Sequence, residues 1–267
     1  MITSEVSSFA ESIRRIVTDH PTRGRWSPGC ATSDVEPVVQ RRLEQVGWYD
    51  LAHPEAHSFV GPAARELGRG LVAVRELDVL LGGSPYVAGL TRHASTGDPA
   101  VVPLRDGLRI ARIEATEAVP YGDSIGAARA SVVDDRAIPH ADAQHRESAW
   151  IAATIGYLAG LTREAVRMAV SYAQSREAFG ATLFDIESVQ HRLADAASTG
   201  DGLWLLAEDS PDLDALAYAG PAGCAAVAEC HQVMGAIGFT LEFPLQRFSR
   251  RARAVQLWSD AWIDARS

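Results

Sequence analysis

The chain is short of the features that most often announce a function. It has 3 cysteines, Cys30, Cys224 and Cys230, an odd number without metal-ligand spacing, which argues against a disulfide framework or a zinc module. Cys224 and Cys230 lie in an alanine-rich apolar run and read as buried free thiols in a reducing compartment. There is no basic excess. The formal net charge of -9 argues against a nucleic-acid footprint but leaves room for an anionic ligand held by a local field. No run reaches the ~18 apolar residues that span a bilayer. The opening Met1-Ile2-Thr3-Ser4-Glu5 has neither the basic region nor the apolar stretch of a signal peptide. The expected location is the cytoplasm, away from membrane. Internal repeats, low-complexity tracts and a G-x-G-x-x-G after a strand are also missing, so a Rossmann reading fails.

What is there is an ordinary globular composition, 47% hydrophobic and 22% charged over 267 residues. Apolar residues recur at helical spacing in Glu5 to Thr18, in Pro37 to Val46 (with Ser33 and Asp34 as cap residues) and in Ala63 to Leu81, with a break from Trp48 to Pro62. The grammar then changes. Short apolar runs at Ala100 to Leu104, Leu108 to Ile113 and Ala130 to Val133 are punctuated by Gly, Pro and Asp, which predicts strands and turns. Helical spacing returns in Ser148 to Ser175, Asp185 to Leu206, Pro221 to Met234 and Leu245 to Ile263, the pattern of a four-helix bundle. The expected fold is mainly α with a small β subdomain. Residues 1–92 form an N-terminal helical domain, 93–141 a shortened β domain and 142–267 a C-terminal helical bundle.

Two runs in the last hundred residues carry chemistry. Arg176-Glu177-Ala178-Phe179-Gly180 places a permanent cation and an aromatic ring before a glycine turn. By itself Arg176 suits a helix end, where it offsets the macrodipole, or a phosphate. Phe179 suits a core contact or the face of a ligand ring. Gln232-Val233-Met234-Gly235-Ala236-Ile237-Gly238-Phe239-Thr240 offers an amide and two glycines that either end a helix or let backbone N–H groups approach a pyrophosphate. Local physics leaves both runs undecided.

Together they resemble the acyl-CoA dehydrogenase family, which carries R-x-x-F-G after a long helix and Q-x-x-G-G-x-G-F-T-x-E before a C-terminal helix. Gln190-His191-Arg192-Leu193-Ala194-Asp195, Glu66-Leu67-Gly68-Arg69 and Val132-Val133-Asp134-Asp135-Arg136-Ala137-Ile138-Pro139 resemble further family segments. The resemblance implies an N-terminal helical domain, a middle β domain and a four-helix bundle, with FAD bound at a subunit interface. It further implies that Arg176 and Phe179 contact the FAD of a neighbouring subunit, and that Gln232, Gly235 and Gly238 line its pyrophosphate.

The departures are as telling as the matches. The family's reaction removes a weakly acidic α-proton from an acyl thioester, which needs a carboxylate base in a dry site. The position of that glutamate on the last helix corresponds to Ser259; the alternative position, on the long helix, corresponds to Trp150. Asp260 is adjacent to Ser259 but turned about 100° along a helix. Glu147 lies one turn before Trp150 and reads as a first-turn helix acid. The family's glutamine after the turn is Glu187, the second glycine of its pair is Ala236, and Ala261-Trp262-Ile263 replaces a segment that touches FAD. No catalytic residue and no metal ligand is therefore assigned. The chain resembles the base-lacking subunit of a bacterial heteromeric acyl-CoA dehydrogenase (α2β2), of the kind that acts on bulky sterol side chains. Its partner would carry the glutamate and most of the acyl-CoA contacts. Two other readings stand beside it: a divergent homo-oligomeric dehydrogenase using Asp260 or Glu147 as base, and a non-enzymatic helical scaffold subunit.

Overall fold

A computed structural model describes residues 4–19, 36–119, 126–178 and 180–267. Among the described residues eight α-helices frame a small sheet. The N-terminal helices are α1 (Ser4–Asp19), α2 (Glu36–Gln45), α3 (His57–Arg69) and α4 (Arg75–Leu81). Ala63 to Leu81 is thus not one helix. The chain breaks after Gly70, where Leu71 takes a left-handed φ of 53° that no helix continues. The expected break from Trp48 to Pro62 is only partial, because α3 starts at His57 and carries Pro62 inside it. The proposed caps Ser33 and Asp34 lie outside the described residues.

The sheet comprises β1 (Ser84–Pro85), β2 (Leu90–Arg92), β3 (Pro99–Leu104), β4 (Gly107–Ala118) and β5 (Ala127–Ala137), in the order β1-β3-β4-β5-β2. Pairing is antiparallel except between β1 and β3. Strands β1 and β2 come from the stretch 84–92, which the sequence reading placed with the N-terminal helices. The β4–β5 ribbon is longer than its apolar runs suggested, because its outer half is exposed and carries no apolar signal; no residue of β5 is buried.

The bundle is built on α5 (His140–Ser175), followed by a two-residue hairpin of β6 (Glu177–Ala178) and β7 (Ala181–Thr182), then α6 (Glu187–Glu208), α7 (Leu213–Met234) and α8 (Leu245–Arg266). Helix α7 starts well before Pro221, because the Asp212 side chain accepts the Ala215 N–H at 3.0 Å and caps it. Helix α5 starts at His140, so Glu147 is a residue of its second or third turn and not a first-turn acid. Small residues let α5 lie against α3. A Cβ on Gly160 would come within 1.8 Å of the Arg65 carbonyl oxygen, and one on Gly156 within 2.4 Å of that of Gly61. All 25 basic residues are arginine, and their forked guanidinium groups tie elements together. Glu66, 1% exposed, receives Arg14 of α1 and Arg65 and Arg69 of α3.

Candidate cofactor-facing site

The helices of the bundle alternate in direction. Gly200 of α6 faces Thr162 of α5, Gly220 of α7 faces Gln256 of α8, and Trp262 of α8 reaches Glu147 of α5. The C-terminal ends of α5 and α7 therefore share one end of the bundle with the start of α8. This brings the two sequence runs to the same end.

At the close of α5 the Arg176 N–H donates to the Tyr172 carbonyl at 2.9 Å, and the Arg176 carbonyl accepts Leu183 N–H at 2.8 Å. The hairpin turns at Gly180, with φ of 83°. Asp185 pins the far strand by accepting both the hydroxyl and the backbone N–H of Thr182, which holds its carboxyl below the usual range. The Arg176 side chain is exposed and makes no hydrogen bond or ion pair among the described residues. Phe179 lies outside the described residues.

Across the bundle end, the Gln232 amide is likewise exposed, with no hydrogen bond among the described residues. Gly235 stops α7 with φ 62° and ψ -145°, a combination essentially reserved for glycine, and a Cβ there would meet nothing within 4 Å. Gly238 is different. It is buried, and a Cβ on it would stand 3.1 Å from Nδ1 of His231 and 3.3 Å from Cβ of Met234. Its missing side chain makes room for the bundle rather than for a ligand. Just outside, Ile237, Phe239 and Leu241 are 40%, 65% and 59% exposed.

The positions where a base was expected are packed shut. Ser259 is 1% exposed, and its hydroxyl donates to the Val255 carbonyl at 2.9 Å, a bond within its own helix. The Trp150 ring lies 4.9 Å from that of Trp262, one turn from Ser259. Beside Trp150 is a buried ion pair that no sequence motif signals. Arg92 holds Asp78 through two bonds, Nε to Oδ2 at 3.0 Å and a terminal nitrogen to Oδ1 at 2.6 Å, while Trp150 Nε1 donates to Oδ1 at 3.1 Å. The Arg92 guanidinium also sits 5.5 Å from the Trp258 ring centroid. A buried carboxylate satisfied by three donors is a structural anion, not a free base. The only advance hint was local: Trp258 and Trp262 flank the serine in sequence.

The two alternative bases are also occupied or misdirected. Glu147 accepts Trp262 Nε1 at 2.8 Å and Arg266 Nε at 2.9 Å. Asp260 lies toward α7, where its charge adds to the burial that raises the Cys224 thiol. Glu187 is exposed, with His191 Nε2 3.8 Å from its carboxylate. Among the described residues no cluster of His, Cys, Asp or Glu could hold a metal ion, and no helix is long and apolar enough to cross a membrane.

Residues 151–210 match the family model "Acyl-CoA dehydrogenase, C-terminal domain". In this region the chain is similar to the acyl-CoA dehydrogenase family. Members of this family bind FAD. Acyl-CoA dehydrogenase FadE28 of Mycobacterium tuberculosis is 30% identical over 177 residues, which are 57% of this chain and 49% of that protein. The chain thus spans at most about half the length of the curated relatives it matches, down to 27% for the bovine short-chain specific enzyme. The fold extends much further than the sequence match. The ChsE4-ChsE5 complex from Mycobacterium tuberculosis superposes with a TM-score of 0.73 at 16% identity, over 99% of this chain and 96% of that one. The steroid acyl-CoA dehydrogenase Tcur3481-Tcur3483 G363A variant gives 0.71 at 20% identity, over 94% and 92%.

The residues present fit FAD only in part. The free guanidinium of Arg176, the free amide of Gln232 and the open backbone at Gly235 suit the phosphates of FAD. Ser259, 1% exposed and bonded within its own helix, leaves no room beside it for a flavin ring or a thioester.

Proposed function

We propose that the chain is the dependent subunit of a heteromeric FAD-containing acyl-CoA dehydrogenase, which converts an acyl thioester to its α,β-unsaturated form. In this reading Arg176 and Phe179 contact a FAD that sits mainly in a partner subunit, and Gln232 and Gly235 line its pyrophosphate, with Gly238 shaping the turn from behind. FAD, when bound, supplies the hydride acceptor. The partner supplies the glutamate that takes the α-proton and most of the acyl-CoA contacts. The division into 1–92, 93–141 and 142–267 goes with this proposal.

One observation carries the reading. The base position is a buried serine bonded to its own helix, one turn from the Trp262 ring that meets Trp150, while the Arg176 and Gln232 side chains are exposed and make no hydrogen bond among the described residues. A site that retains only its outward half works when another chain brings the remainder. The relatives solved as a two-protein complex and as a steroid acyl-CoA dehydrogenase favour a paired assembly and a bulky acyl group. Glu147 as the base of a homo-oligomer is disfavoured, because its carboxylate is already engaged by Arg266 and Trp262.

The test is co-expression with a glutamate-bearing relative from the same genome. A complex of fixed stoichiometry with a flavin absorbance band is expected, and Arg176→Ala should weaken FAD retention about tenfold or more, the loss of a charge-assisted contact. Strong FAD binding and turnover by the chain alone would overturn the proposal.

A further inference from the structure

The turn that carries Gly235 and Gly238 rests on a side chain so far unused. His231, in the last turn of α7, is 4% exposed, and neither ring nitrogen has a hydrogen-bond partner among the described residues. Its ring stacks on Phe239 with centroids 4.3 Å apart and planes 27° from parallel. On its other flank, Nδ1 stands 3.1 Å from where a Gly238 Cβ would be. Its carbonyl accepts the Gly235 N–H. The imidazole is therefore enclosed by the turn it supports.

An unpartnered buried ring is expensive and calls for an explanation. Packing supplies one. Phe239 is 65% exposed, and the imidazole is its stacking partner from the bundle side. Without that ring the phenyl would fall inward, and the turn would lose the shape that leaves Gly235 open. We propose that His231 is a positioning residue for the cofactor-facing turn, the wedge that holds Gly235 open and Phe239 outward as an anchor for the partner subunit. The inference rests on the dependent-subunit reading for the identity of that partner. Aromatic anchors of this kind are the side chains that interfaces bury to most effect.

The wedge acts only while uncharged. Burial lowers the basicity of His231, and no charged group contributes to that shift. On α7, Glu229 is engaged by Arg192 and the neighbouring Cys230 thiol is pushed up to about 12. The turn 235–239 has no ionisable side chain, Glu242 in the link that follows is exposed and does not contribute to the shift, and the start of α8 brings Leu245, Gln246 and Arg247. Protonation would bury a cation with no counter-charge, so the turn should loosen as pH falls below about 6.5, the ordinary imidazole value.

The test is a double-mutant cycle, read by hydrogen exchange of the amides of 235–241 and by FAD retention in the assembled complex. Gly238→Ala should speed exchange about tenfold or more. In the His231→Ala background the same change should add less than about threefold, because the obstructing ring is gone. His231→Ala alone should loosen the turn, whereas His231→Phe should keep it protected. Wild-type protection should fall with acidification, and that of His231→Phe should stay flat. Additive effects in the cycle, unchanged protection in His231→Ala, or identical pH profiles for wild type and His231→Phe would overturn the proposal. If no flavin complex forms from the wild-type chain, the subunit reading fails, and exchange in the chain alone still decides the role of the wedge.

Discussion

Replacing Glu147 by glutamine separates a structural carboxylate from a catalytic one. Glu147 sits where the start of α5, the end of α8 and the β3–β4 turn converge. Its oxygens accept Trp262 Nε1 at 2.8 Å and Arg266 at 2.9 and 3.2 Å, and Arg266 also reaches the carbonyls of Leu104 and Gly107. Removing one partner of a buried ion pair costs about 3–5 kcal/mol. This pair lies near the surface, with side-chain exposures of 16% for Arg266 and 10% for Glu147. Glutamine also still offers an oxygen to Trp262, so the expected loss is about 2 kcal/mol, roughly a thirtyfold change in the folded-to-unfolded ratio. Urea unfolding of the Glu147→Gln chain should show a lower midpoint with an unchanged slope. In the assembled complex, turnover per bound flavin should be unchanged. Abolished turnover with an unshifted midpoint would refute the assignment and restore Glu147 as a base.

Two further predictions concern packing and pH. Gly160→Ala should destabilise the chain by about 2 kcal/mol: a Cβ placed 1.8 Å from the Arg65 carbonyl oxygen forces α3 and α5 apart, which outweighs about 1 kcal/mol of gained helix propensity. Gly202→Ala, in α6 with nothing within 4 Å of the new carbon, should instead stabilise it by about 0.5–1 kcal/mol, so denaturation midpoints should move in opposite directions. His93 is held at about 3 by burial and by Arg251, Arg92 and Arg75. Because that is below the ordinary imidazole value, its contribution is fully present above about pH 6.5 and is lost as pH falls toward the folded value, at up to about 1.4 kcal/mol per pH unit. His93→Asn tolerates the left-handed φ of 50° and should remove that part of the acid slope; a wild-type slope in the variant would contradict the assignment.

Much of the architecture was legible because it is local. The apolar stripe of α1, the turn residues around β3 and β4, and the long period of α5 are properties of consecutive residues, and they put helix, sheet and bundle in the right order. The boundaries that were missed each turn on something non-local or unusual. Leu71 breaks a continuous apolar period with a left-handed backbone, and Pro62 and Pro221 sit inside helices. The outer half of the β4–β5 ribbon is exposed and gives no hydrophobic signal.

The sequence by itself determined the chemistry on offer: Arg176, Gln232 and Gly235 are present, and a glutamate at Ser259 or Trp150 is not. Only the tertiary structure decided which polar groups are spoken for. Asp78 and Arg92 are 14 residues apart, Glu147 and Arg266 are 119 apart, and nothing in the chain says that each pair will meet. Charge is written in the residue, but whether it is free to act depends on burial and on partners that arrive from distant segments. Packing therefore buried Ser259, used Glu147 as a clamp, left Arg176 and Gln232 outward, and set His231 beneath the turn that faces them.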